Sequence, residues 1–283
     1  MYKRRYFDLA YQTADKQERY QLDGYELFTN SALDLRGAQW KVTLGEHDLL
    51  SAKRTATTCT IDFKTPNREA LEALRIATDK DVLNGNAGTL IAKDDWTQRA
   101  FITGLDVQNV YGGYVEGKLT VQLLDGVWRK FIKHTLAPQS GLSINKGDLD
   151  YAHDYPHDYT NKTASIKITF EQDSLVRLTF YGSCIDPYVN IGGNVYALND
   201  ISIPAGSYAV IDPTRKGEVG QSIKLVSHLG EAQNIFAKRR RGAQGTGSYI
   251  FERVHKGAQT VTWAQDFGLD IEEIRERSEP PWI

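Results

Sequence analysis

Cysteine is scarce in this chain. Cys59 and Cys184 are the only two, and they fall in different halves of the 283 residues. That pattern argues against a disulfide scaffold and for a fold completed in a reducing compartment. Long apolar runs are missing as well. Nothing approaches the roughly 20 consecutive apolar residues that span a bilayer, so membrane insertion is not expected. The basic opening Met1-Tyr2-Lys3-Arg4-Arg5-Tyr6 runs into polar residues instead of an apolar leader core, which predicts synthesis as a soluble cytosolic chain. Excess charge of either sign is absent too. The formal net charge is −2, and each half is near neutrality, so no global attraction to nucleic acid or anionic membrane is implied.

Strand signals are abundant. Trp40, Val42 and Leu44 alternate with polar neighbours, and Cys59, Ile61 and Phe63 read as one buried strand face. Val115, Gly117, Leu119, Val121 and Leu123 alternate with Glu116, Lys118, Thr120 and Gln122. Gly112-Gly113 joins that strand to Phe101–Val107 as a hairpin, with glycine expected to supply positive φ. One helix is predicted in this half. Thr65 can cap it, Pro66 suits its first position, Glu69 complements the dipole, and Ala70, Leu71, Leu74 and Ala77 form its apolar stripe. Asn84-Gly85-Asn86 ends it.

Between 136 and 163 periodicity dissolves into an irregular connection near the domain boundary. Beyond it short strands recur: Ile166–Phe170, Val176–Phe180, the hairpin around Gly192-Gly193, Tyr208–Asp212, Tyr249–Phe251 and Val261–Trp263. The last 20 or so residues turn polar and acidic, and Pro280-Pro281 near the end predicts an extended tail. The fold class expected is mainly β: two β-sandwich-like domains, the first with one amphipathic helix and a long hairpin, the second a jelly roll. The boundary falls near 130, giving domains 1–130 and 131–283.

Residues that could carry chemistry are few. His153 and His157, each followed by Asp, have the spacing of a zinc pair on a helix, but Pro156 disfavours that helix and no third ligand stands nearby. An exposed polar loop is the simpler reading. The run Lys238-Arg239-Arg240-Arg241 could neutralise phosphates, yet it lacks a wider basic surface. A solvated loop, or a patch that meets an acidic subunit, explains it better. There is no Gly-x-Ser-x-Gly elbow, and Cys184 reads as a structural cysteine, not a nucleophile. No catalytic residue, metal site or cofactor is assigned. The 15 Tyr and 5 Trp could instead stack sugar rings, so a carbohydrate-binding module recognising a host surface is the alternative reading. Most of those aromatics follow the strand period, however, and packing explains them first.

From about Phe180 onward the chain resembles the phage distal tail protein family of long-tailed, non-contractile phages and prophages. The resemblance is carried by Tyr181-Gly182-Ser183-Cys184-Ile185-Asp186-Pro187, the hairpin Val189–Tyr196, Gly206–Asp212, Asn234-Ile235-Phe236, the strand Tyr249–Val254, Gly257, Thr260-Val261-Thr262-Trp263 and the close Phe267–Ile271 through Glu276–Trp282. The stretch from Lys238 to Ser248 is an expanded loop against that pattern, and the first half matches in layout alone. The resemblance implies an N-terminal domain that closes into a ring, commonly a hexamer, and a galectin-like C-terminal domain. It implies a virion structural protein at the tail tip, joining the tail tube protein to the tail-tip hub and serving receptor-binding proteins, with no enzymatic role. Arg239, Arg240, Arg241, Glu279, Pro280 and Trp282 are the residues expected to meet partners. The family has no catalytic residues to carry over.

Overall fold

The architecture follows from period-2 alternation, which places one side-chain set of each strand against a core and leaves the other to water. The computed structural model describes residues 8–24, 26–29, 35, 40–138, 165–214 and 220–280. Its contacts divide the chain into two units, Met1–Phe131 with Glu276–Ile283, and Ile132–Arg275. The irregular connection expected at 136–163 lies almost wholly outside the described residues.

The first unit contains β1 (Ala10–Gln12), β2 (Arg19–Gln21), β3 (Phe28–Thr29), β4 (Trp40–Leu44), β5 (Leu49–Arg54), β6 (Thr57–Thr65), α1 (Arg68–Leu83), β7 (Gly88–Ala92), β8 (Trp96–Val110), β9 (Val115–Leu123) and the start of β10 (Trp128–Leu136). Antiparallel pairing runs β2–β1–β7–β8–β9–β6–β3. Side chains from both ends of that sheet, Tyr11 and Phe63 among them, share one core with Leu71 and Leu74 of α1 and with Trp128. β4 and β5 stand apart as a two-stranded sheet.

α1 carries the expected stripe, with Leu71, Leu74 and Ala77 buried. Its cap is not Thr65. Asn67 caps it, the carboxamide oxygen accepting from the N–H groups of Glu69 at 3.0 Å and Ala70 at 3.1 Å. Thr65 still belongs to β6, its hydroxyl donates to the Glu26 carbonyl, and Pro66 therefore precedes the helix instead of opening it. Asp81 anchors the far end from below, accepting from the Tyr11 hydroxyl at 2.8 Å. Burial and that carboxylate both push the Tyr11 hydroxyl far above its ordinary range.

The second unit continues with β11 (Ile166–Phe170), β12 (Leu175–Tyr181), β13 (Cys184–Ile185), β14 (Tyr188–Ile191), β15 (Asn194–Ala197), β16 (Ser202–Ile203), β17 (Tyr208–Asp212), β18 (Ser222–Val226), β19 (Ala232–Asn234), β20 (Gly257–Trp263) and β21 (Leu269–Arg277). One sheet runs β19–β18–β17–β12–β21, another β11–β20–β14–β15. Phe170, Ile191 and Val261 from the second share a core with Leu178, Ile211 and Ile271 from the first, which makes this unit a β-sandwich. The hairpin at Gly192-Gly193 has both glycines at positive φ, 59° and 91°, as its two-residue turn requires.

Two expectations are corrected here. Tyr249–Val254 is a turn, not a strand: the Glu252 N–H reaches back to the Tyr249 carbonyl at 3.2 Å, and the adjacent Ile250 and Phe251 are both buried, which alternation forbids. The acidic C-terminal stretch is not a tail through 269–277, because it forms β21, with Leu269, Ile271 and Ile274 fully buried. Its charges are matched locally. Buried Glu273 accepts from the Ser174 hydroxyl at 3.0 Å and from Arg275 at 2.8 Å.

Candidate interaction surfaces

The hairpin β8–β9 is built to keep its long form. β9 pairs with β8 on one edge and β6 on the other over its whole length. β8 pairs with β7 only over Trp96–Ala100, so its far half has an open edge among the described residues. That half, Asp106 to Val110, is exposed. Gly117 sits where a Cβ would meet the Asp106 carbonyl at 2.1 Å and the Phe63 ring at 2.8 Å, so the strands close there only over glycine. At the tip Tyr111 and Tyr114 stack with centroids 4.6 Å apart, and the Lys64 ammonium, ion-paired with Glu116, lies 5.7 Å from the Tyr114 centroid. Gly112 and Gly113 do not adopt the positive φ expected of them; the four-residue loop closes through the Tyr111 N–H to the Tyr114 carbonyl at 2.9 Å.

The separate hairpin β4–β5 presents Trp40, Val42 and Leu44 at 46%, 52% and 70% exposure. Alternation that ordinarily marks a buried face here faces water. The Arg54 guanidinium covers Trp40 at 4.8 Å, and Lys41 lies directly across from Lys53. Sequence reasoning read β4 as a strand but gave no sign of this exposure, since periodicity reports that a strand has an apolar side and not what meets it.

The basic run divides on inspection. Arg239 is a fold residue: its guanidinium stacks 4.2 Å over Phe236 and donates to the Phe236 carbonyl at 2.8 Å. Arg240 and Arg241 are exposed, with the Arg240 backbone N–H held by the Ala197 carbonyl at 2.9 Å. Glu279 is half-buried and Pro280 buried, while Trp282 lies outside the described residues. No single surface is shown to gather these residues.

Chemistry has little to work with. Among the described residues no group of three His, Cys, Asp or Glu side chains is placed to hold a metal ion, and His153 and His157 lie outside them. Burial pushes the Cys184 thiol up to about 11, with Asp266 adding to it, so it is protonated at neutral pH. Trp128, Tyr11 and Tyr196 are fully buried and unavailable for stacking sugars; among the described residues Trp40, Tyr111, Tyr114, Tyr181 and Tyr188 are the exposed rings of the Trp and Tyr set. No described helix is long and apolar enough to cross a membrane.

No protein-family model matches this sequence, and no curated protein matches it. Solved structures do. A chain of the phage P2 baseplate in its activated conformation with Ca aligns over 96% of this chain and 98% of its own, at TM-score 0.54 and 12% identity. The fold is that of a phage baseplate chain. The same baseplate with Sr gives TM-score 0.53 and 12% identity over 96% and 99% of the two chains. The SPP1 Dit protein, described as a paradigm of hub adsorption apparatus in phages infecting Gram-positive bacteria, aligns over 95% and 99% at 13% identity with TM-score 0.41. The baseplate fold thus spans both units, including the first half, where the sequence matched in layout alone.

Proposed function

We propose that this chain is a structural subunit of a phage or prophage tail tip, a distal tail protein whose first unit closes into a ring, most simply a hexamer. The ring would join the tail tube protein to the tail-tip hub protein and carry receptor-binding proteins on its outward second unit. The reading places the working protein in the virion tail, after synthesis in the bacterial cytoplasm, and gives it no enzymatic role.

The observation that carries it is the alignment of 96% of the chain with a baseplate chain. The surfaces are of the right kind: an open strand edge along the far half of β8 and a hairpin with an uncovered apolar side. Open edges and apolar patches of this sort are avoided in solitary proteins and are used where copies assemble. Head-to-tail contacts close into a ring when the rotation suits. Negative-stain electron microscopy of the purified protein tests the reading: rings with a central hole are expected, and isolated particles of monomer size at high micromolar concentration would refute it.

A further inference from the structure

The two units treat strand edges oppositely. The far half of β8 is left open among the described residues, whereas β15, the last strand of its sheet, is covered. β15 pairs with β14 from Tyr188↔Ala197 to Ile191↔Asn194, and its other edge meets residues 238–247. The Asn199 N–H donates to the Lys238 carbonyl at 2.7 Å and the Arg240 N–H to the Ala197 carbonyl at 2.9 Å. Between them lies an antiparallel bridge from Leu198 to Arg239. The Val195 N–H then reaches the Gly247 carbonyl at 2.9 Å. Along β15 these contacts advance from 197 to 195, while the covering chain advances from 240 to 247.

Residues 242–246 thus have no place opposite β15 and leave the edge as an excursion. Its neck closes over Gly242, where a Cβ would meet the Ser248 carbonyl at 2.5 Å. Gly245 and Gly247 hold φ of 78° and 77°, which no strand adopts. The Gly245 N–H donates to the Glu252 carboxylate at 2.6 Å and the Thr246 hydroxyl to the Ala243 carbonyl at 2.7 Å, so the excursion is fastened to its own unit. A regular strand added here would only move the open edge outward. This segment ends it instead. The row of outward N–H and C=O groups is interrupted, and exposed Arg240 and Arg241 stand where a second copy would bring the same charges. β19, from which the segment departs, spans three residues and is itself a poor template. We propose that residues 238–247 terminate the β15 edge and keep it from pairing strand to strand with another copy. Association is thereby left to the first unit, a consequence that rests on the ring reading above, whereas the closed edge does not.

Sedimentation velocity of the full chain compares wild type with a variant lacking residues 242–246 and carrying Arg240→Thr and Arg241→Thr. The deletion sets position 241 opposite Tyr196 and Gly247 opposite Val195, giving one uninterrupted strand with an unguarded outer edge. The variant is expected to keep the wild-type circular dichroism and to reach about double the wild-type mass or more, whatever state wild type takes. A folded variant with the wild-type mass would overturn the proposal. Hydrogen exchange of the wild-type chain, followed by NMR, needs no variant. The Val195 amide should exchange as slowly as the paired amides of β15, and exchange at the rate of an unbonded amide would overturn it too. A monomeric wild type whose variant associates would sink the ring and support the closed edge.

Discussion

Asp125 shows how individual side chains hold the first unit. It is 6% exposed and accepts from Arg99 at 2.6 Å and Arg129 at 3.3 Å, while Arg129 reaches on to Glu276 at 3.2 Å. Asp125→Ala takes the acceptor from half-buried Arg99 and leaves buried Arg129 with Glu276 alone, and a loss of about 2 kcal/mol in denaturant unfolding is expected. Asp62→Ala removes only the exposed 3.8 Å pair with Lys118 and should cost under about 0.5 kcal/mol. Titration is equally local. Burial raises the Asp212 carboxyl, but Thr214 and Arg177 together outweigh it and hold the group below its ordinary 3.8. A depressed carboxyl contributes stability above that ordinary value and loses it as pH falls through the folded-state value. Acid unfolding below pH 3.8 should therefore soften in Asp212→Asn. Tyr181 runs the other way: burial, then Asp270, pushes it up to about 12, so its contribution is present below pH 10 and lost as pH climbs toward 12. Both cysteines are buried, and a thiol-labelling reagent at neutral pH should modify them only after unfolding.

At the scale of elements, two substitutions separate turn chemistry from packing. Asn67→Ala removes the cap of α1 and should cost about 1 kcal/mol. Gly117→Ala forces a methyl into the Asp106 carbonyl and the Phe63 ring, and should cost about 2 kcal/mol or more by thermal melt, because β6, β8 and β9 cannot separate independently. The strand period in β6, β9 and β12 was legible because each buries one alternating set. β21 was not legible. Its buried carboxylates Asp270 and Glu273 look like solvent-facing charge until Lys133, Tyr181, Ser174 and Arg275 are placed around them. The cap of α1 was misread by two residues, since Thr65 and Asn67 are both good cap types and only the end of β6 decides between them.

For the molecule as a whole, chain order and structural membership differ. Glu276 and Arg277, near the C-terminus, serve the first unit: Glu276 pairs with Arg129, and the Arg277 guanidinium lies 5.1 Å over Trp96. Truncation after Arg275 should thus make residues 1–131 more susceptible to limited proteolysis, an effect a free C-terminal tail would not produce. The β class and the helix α1 were readable in advance, because periodicity and residue inventory are properties of the chain. Which apolar faces stay uncovered, which charges are buried, and that β21 packs inside depended on the folded neighbours. Burial depends on what packs against a residue, and those neighbours come from distant parts of the sequence.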